Sequence, residues 1–318
     1  MIDIIEDLYR LADRPFPFRD IKAWLDFFRD PQEDIVARFA TVTGVLQTAE
    51  SLTTAAYAYG RRRAQEGLVY AEAKFAPQYH TAGGLTLAQA AAAVHEGLRR
   101  AEHDHRIRLL PVIGIGREAD PQTGLAVARI ALEYDGAMAL DLVCDEAGHP
   151  PEKHLPAFRS TFGSKVKRDC HAGEWVAREP ATTYRQRLLR NIRTAVFDLR
   201  CHGVGHAIPL ADDPELVAYL AANGVRVAGC PLSNHYSGLI KDVRELRLDE
   251  IIDQGVIYTL NADDDLFMPP LPAVASVCDE AYGFTPAQKE ALEANVFRGA
   301  FAQDAAKYLG TRPAAAGR

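Results

Sequence analysis

Seven short apolar runs, rich in β-branched residues and separated by helical stretches, constrain this chain more than any other feature. They are LVYAEAKFAP (68–77), IRLLPVIGIG (107–116), GAMALDLVC (136–144), VKRDCHAG (166–173), RCHGVGHA (200–207), GVRVAGCPLSN (224–234) and GVIYTLNADD (255–264). Between them lie Ala-, Leu-, Glu- and Arg-rich stretches such as LTLAQAAAAVHEGLRRAEHD (85–104) and DPELVAYLAAN (213–223). Short buried strands alternating with helices predict a parallel sheet of βαβ units. The expected class is α/β, a TIM (β/α)8-type barrel with seven recognisable strands and the first one missing.

The punctuation agrees. Gly67, Gly224 and Gly255 stand between a helical stretch and the next run, where a helix C-cap takes a left-handed residue. Asp213-Pro214 reads as an N-cap followed by proline at the first helical position. The N-terminal stretch reads as helices only: MIDIIEDLYRLAD and DIKAWLDFF place apolar residues at helical spacing. There is no internal repeat, low-complexity tract or dividing linker. The 318 residues are expected to form one domain over 1–309, with GTRPAAAGR (310–318) a disordered tail.

Composition narrows the partners. Lys and Arg number 36 against 43 Asp and Glu, a net charge of −7 that gives no general attraction to nucleic acid or anionic lipid. No apolar run nears the roughly 20 residues that span a bilayer. MIDIIEDLYR lacks the basic start of a secretory signal. The five cysteines (Cys144, Cys170, Cys201, Cys230, Cys278) form no C-x-x-C pair and read as reduced thiols. A cytoplasmic protein without nucleic-acid or membrane partners is expected.

In a parallel barrel the chemistry lies where strands end. Those positions hold Gln78, Tyr79 and His80; Asp145 and Glu146; His171 and Glu174; His206; Cys230, Ser233 and Asn234; and Asn261, Asp263, Asp264 and Asp265. Two histidines and an aspartate on one rim suit a divalent metal, zinc being the commonest. A glutamate three residues after a ligand histidine is placed for acid–base work. Each group also has an ordinary structural reading. A lone strand-end histidine is more often hydrogen-bonded than a ligand. Consecutive aspartates are usually a solvated turn, and Glu174 suits the first turn of a helix. His202 reads as lower packing, and His95, His103, His105 and His154 as surface. Coincidence at one rim favours the functional reading.

These residues carry a family resemblance. HAGE (171–174), GH (205–206), CPLSN (230–234) and LNADD (260–264) resemble, in order, the motif set of the adenosine deaminase family. YAEAKFAPQYH (70–80) resembles that family's second strand and DLVCDEAGHPPEKHL (141–155) its fourth. The resemblance implies a zinc-bearing barrel that hydrolyses the 6-amino group of a purine nucleoside or base, the small-molecule partner. By motif, His171 and Asp263 would ligate zinc and His206 would act as base. Glu174 would protonate the purine ring nitrogen, and Asp264 would bind the other side of the ring. Ile35, Val36 and Phe39 share one helical face; the resemblance implies an apolar lid there, with Phe39 a substrate contact, and ordinary core packing is the alternative.

The chain departs from the pattern in three places. The family's first strand carries an H-x-H pair of zinc ligands, whereas Met1 stands where the following helix begins; His103-Asp104-His105 precedes a strand instead. Two ligands are therefore expected to be missing, their strand lying upstream. The chain as given would hold little zinc unless His80 or His202 substitutes, and its open strand edges would invite a covering helix or a homo-oligomer. Cys144 occupies a glycine position that contacts the purine. The interval from His171 to His206 is long and carries TTYRQRLLRNIRTAVFDLR (182–200), either a solvated barrel helix or a rim that reshapes the pocket. An inactive binding or regulatory relative, an adenine deaminase and another metal-dependent amidohydrolase remain as alternatives. The P-C-x-x-C signature of nucleic-acid deaminases is absent.

Overall fold

The computed structural model describes residues 4–30, 32–33, 35–135, 138–175, 181–264 and 268–308. The tail 310–318 and the side chains of Ile35 and Val36 lie outside the described residues. The chain divides into two compact units. Unit 1 comprises Met1–Ile113, Asp264–Met268 and Ala302–Arg318; unit 2 comprises Gly114–Asp263 and Pro269–Phe301.

Unit 1 opens with four helices, as the N-terminal periodicity predicts: α1 (Ile5–Leu11), α2 (Ile21–Arg29), α3 (Ile35–Thr43) and α4 (Ala49–Gln65). Then come β1 (Tyr70–Phe75), α5 (Leu87–His105) and β2 (Arg108–Gly116). Strands β1 and β2 pair in parallel from Tyr70↔Arg108 to Phe75↔Ile113. The core packs α4 and α5 against them through Leu52, Val94, Leu98, Ile107 and Leu109. Gly97 lets the two helices meet, since a Cβ there would lie 2.4 Å from the Thr53 carbonyl oxygen. Thr48 and Thr86 start α4 and α5 with reciprocal capping boxes.

Unit 2 continues with α6 (Pro121–Glu133), β3 (Ala139–Val143), α7 (Leu155–Ser160), β4 (Lys167–Arg168), β5 (His171–Ala172), α8 (Ala181–Phe197), β6 (Gly203–His206), α9 (Pro214–Asn223) and β7 (Arg226–Gly229). It ends with α10 (Pro231–Tyr236), α11 (Leu248–Asp253), β8 (Tyr258–Leu260), α12 (Leu271–Tyr282) and α13 (Pro286–Arg298). Every strand falls inside a run singled out in the sequence. Strand β3 pairs in parallel with β4, and β5, β6, β7 and β8 pair in parallel in that order. The run 166–173 gives two short strands rather than one. At the break the Cys170 N–H donates to the Asp169 carboxylate (3.1 Å) instead of a neighbouring strand. Gly67, Gly224 and Gly255 take positive φ as their cap positions require, and Asp213 caps α9 by accepting from the Leu216 N–H. Among the described residues, no helix is long and apolar enough to cross a membrane.

Candidate functional site

The candidate site is built in unit 2 on the strand ends that the sequence points to. His171 belongs to β5. Its Nδ1 lies 3.0 Å from Oδ2 of Asp141, a wholly buried residue of β3. Arg117, also wholly buried, donates to the His171 and His149 carbonyl oxygens. Both the ring and the main chain of His171 are therefore held.

His206 ends β6 in a left-handed conformation (φ 62°), and Ala207 follows at φ 50°. Such backbone costs roughly 1–2 kcal/mol per residue, so the surrounding fold must enforce it. His206 Nδ1 lies 2.8 Å from Asn234 Oδ1 on α10. An amide oxygen only accepts, so Nδ1 is the donor in this pair. His206 Nε2 faces Glu174 Oε2 at 3.6 Å and Asp263 Oδ2 at 3.9 Å. Both distances exceed a direct hydrogen bond. Asp263, just beyond β8, is itself left-handed (φ 66°).

Potential metal donors of His206, Cys230 and Asp263 all lie within 4.8 Å of one another. The His171 and His206 ring centroids are 5.2 Å apart. Imidazole nitrogen, thiolate sulfur and carboxylate oxygen are the donors zinc takes. The carboxylate of Asp141 behind His171 and the amide of Asn234 behind His206 are outer partners that fix ring orientation. The donor chemistry therefore fits zinc.

Glu174 is enclosed by protein, its side chain 21% exposed. Burial pushes its carboxyl above the ordinary value; the His206 and His171 rings pull it down, and the Asp263 and Glu146 carboxylates push it up. Glu146, 2% exposed, lies under the loop that carries Glu174 and accepts from its backbone.

The structure thus brings His171, Glu174, His206 and Asp263 together within unit 2. Cys144 is exposed and left-handed (φ 73°), a conformation that favours glycine, the residue the motif has there. Asp264 and Phe39 belong to unit 1, where Phe39 is 36% exposed and sits edge-on to Phe28 at 5.3 Å. His80 is also in unit 1, its Nδ1 2.9 Å from the Leu46 carbonyl oxygen. His202 accepts from the Arg168 N–H at the opposite ends of the strands. Two surface expectations are corrected. His154 is wholly buried against the Arg117 carbonyl oxygen, and His95 packs on Phe75. Each lies on the inward face of its element, which sequence polarity does not reveal. Three basic side chains of α8 pair with acidic residues of neighbouring segments: Arg185 with Asp212, Arg190 with Glu152 and Arg193 with Asp213.

Sequence reasoning gave no role to Asp141, Cys230 or Asn234. The available signals were an aspartate inside an apolar strand run and polar residues within a motif.

Known proteins resemble the chain over nearly its whole length. Residues 13–309 match the family described as adenosine deaminase. An adenosine deaminase of Enterococcus faecalis is 30% identical over 73% of this chain and 66% of its own length. The crystal structure of an adenine deaminase from Arthrobacter aurescens superposes with TM-score 0.83 at 25% identity, covering 97% of this chain and 93% of that one. An amidohydrolase from Burkholderia ambifaria, solved with bound Zn, superposes with TM-score 0.81 at 23% identity, covering 96% of this chain and 84% of that one. The fold class is that of the TIM-barrel amidohydrolases.

Proposed function

We propose that this chain, which belongs to the adenosine deaminase family of aminohydrolases, hydrolyses the 6-amino group of a purine nucleoside, converting adenosine and water to inosine and ammonia. The observation that carries this reading is the convergence of Glu174 and Asp263 on His206 Nε2, at 3.6 and 3.9 Å. His171 and Asp263 would hold zinc, as the motif match implies; the donors that lie within 4.8 Å of one another are those of His206, Cys230 and Asp263. Bound there, zinc would lower the pKa of a water to about 7.

The chain's own residues supply the rest. Glu174, whose hold on a proton is strengthened by burial, gives a proton to a ring nitrogen. Loss of electron density from the ring makes C6 electrophilic. His206 Nε2 takes a proton from the attacking water, because Asn234 fixes the hydrogen on Nδ1. Asp263 orients the same water. His206 passes that proton to the 6-amino nitrogen, ammonia leaves, and the C6 hydroxyl returns a proton to Glu174 as the carbonyl forms. Asp264 would bind the other side of the ring, and Cys144 and Phe39 would contact substrate, as the motif match implies. The proposed working unit is the single hydrolase domain over 1–309, consistent with a family match that ends at the same residue.

A second reading takes free adenine as the substrate. It is favoured by the likeness to the Arthrobacter adenine deaminase over 97% of this chain. Ammonia release from adenosine and from adenine, measured side by side, decides between the two. Glu174→Gln should lower turnover of the accepted substrate by about 10²–10⁴-fold. Wild-type turnover by that variant would overturn the mechanism.

A further inference from the structure

Glu146 is a buried carboxylate whose partners among the described residues are all neutral N–H groups. Its Oε1 accepts from the Gly173 N–H (2.9 Å) and the Asn191 Nδ2–H (2.8 Å). Its Oε2 accepts from the N–H groups of Glu174 (2.8 Å) and Trp175 (3.1 Å). No cation among the described residues forms an ion pair with it. Taking an anion out of water is costly unless the fold supplies hydrogen bonds in return, and four short ones converge here. Three come from consecutive backbone groups, which fixes the main chain from 173 to 175.

The geometry leaves that loop little freedom. Gly173 is left-handed (φ 74°), and a Cβ on it would lie 2.5 Å from the Ile192 side chain. Glu146 reaches the loop from just beyond β3, two residues after the left-handed Cys144. Asn191, on α8, holds the carboxylate from the other side. Three separate segments therefore meet at one carboxylate, directly beneath the backbone that carries Glu174.

We infer that Glu146 is a positioning residue for the reaction: by binding the backbone of residues 173–175, it sets where the Glu174 carboxyl stands relative to His206 and the substrate ring. The inference rests on the proposed role of Glu174. It differs from a plain structural role in what its loss does. Glutamine has nearly the same size but brings an NH2 group to a place where all four described hydrogen-bond partners donate. At least one oxygen's pair of N–H partners is then left facing another donor. The loop shifts, and a shift of about 1 Å at a reacting group can cost on the order of 10²-fold in rate.

The test uses the full chain. Glu146→Gln should lower kcat by about 10²-fold while KM for the accepted substrate changes less than about threefold. Amide exchange at Gly173, Glu174 and Trp175 should rise more than about tenfold, with β8 amides unchanged. Asn191→Ala removes one donor of the four and should give the same pattern in weaker form; it decides the matter should Glu146→Gln not fold. Arg226→Lys, at the opposite ends of the strands, is the control: it should lower the melting temperature yet leave kcat unchanged. Wild-type kcat, or unchanged exchange at 173–175, in the folded variants overturns the inference. Loss of activity matched by the control at equal destabilisation also overturns it. Glu174→Gln assayed alongside separates the two claims. If that variant stays active the mechanism fails, whereas an inactive Glu174→Gln beside an active Glu146→Gln sinks only the positioning role.

Discussion

The two ends of strands β4–β8 use buried polar groups in opposite ways. At the lower end, opposite charges meet directly. Arg226 donates to Asp169 at 2.8 Å and to the Gly299 carbonyl oxygen at 2.9 Å, and its guanidinium lies 3.4 Å from the Phe301 ring centroid. Arg168 donates to the Arg200 carbonyl oxygen and lies over Phe162. At the upper end, two carboxylates face one imidazole at 3.6 and 3.9 Å, and the main chain at His206, Ala207 and Asp263 is left-handed. Strand β7 shows both habits within a few residues, with Arg226 at its start and Cys230 just past its end. The lower end holds the strands together. The upper end gathers titratable side chains without direct hydrogen bonds to the His206 Nε2, on a left-handed main chain.

If the ends divide labour in this way, substitutions should separate stability from activity. The largest expected effect is at the top. His206→Asn should lower kcat/KM by about 10²–10⁴-fold and move the melting temperature by less than about 3 °C. A collapse of stability there would erase the distinction. Next comes the bottom: Arg226→Met strands the Asp169 carboxylate, wholly buried, and should cost about 3–5 kcal/mol. Urea unfolding measures that loss, and turnover per folded molecule should stay at the wild-type level.

A third prediction is a pH effect at the lower end. Burial, with Arg168 and Lys167 nearby, lowers the His202 pKa from 6.5 to about 4. Between those values the unfolded chain binds a proton that the folded chain refuses. The contribution is thus complete above pH 6.5 and is lost as pH falls to 4. His202 is partly exposed, so solvent screening reduces the effect to about 1–2 kcal/mol. His202→Asn, unfolded in urea at pH 7 and at pH 4, should lose less stability than the wild type by that amount. Equal losses would place His202 in open solvent. The smallest effect is at Tyr258. Among the described residues its buried hydroxyl has no hydrogen-bond partner. Tyr258→Phe should be neutral or stabilising by up to about 1 kcal/mol, with turnover unchanged. A loss of turnover would mean that the working region extends beyond the strand ends.

The strands were legible because fully buried parallel strands need uninterrupted apolar runs, and their helices were legible from capping residues and helical spacing. The site was legible as four motifs in order. The pairings behind the motifs were not. Asp141 meets His171, Asn234 meets His206, and Glu146 meets residues 173–175, each across about thirty positions of chain. Periodicity reports which way a residue faces within its own element, but nothing about which element lies opposite. The same limit misplaced His154 and His95. It also left the arginines of α8 without partners until Asp212, Asp213 and Glu152 came beside them in space.

The left-handed residues at the strand exits have a consequence for how such a sequence drifts. Cys144, His206, Ala207 and Asp263 all sit at φ between 50° and 73°. Glycine takes that backbone freely, asparagine and aspartate tolerate it, and β-branched residues resist it. The readiest accepted exchanges at these exits are therefore ones that erase a side chain and spare the frame. A lineage released from selection on turnover should lose its chemistry there first, through glycine, and keep a sound scaffold on which a different reaction can later be installed.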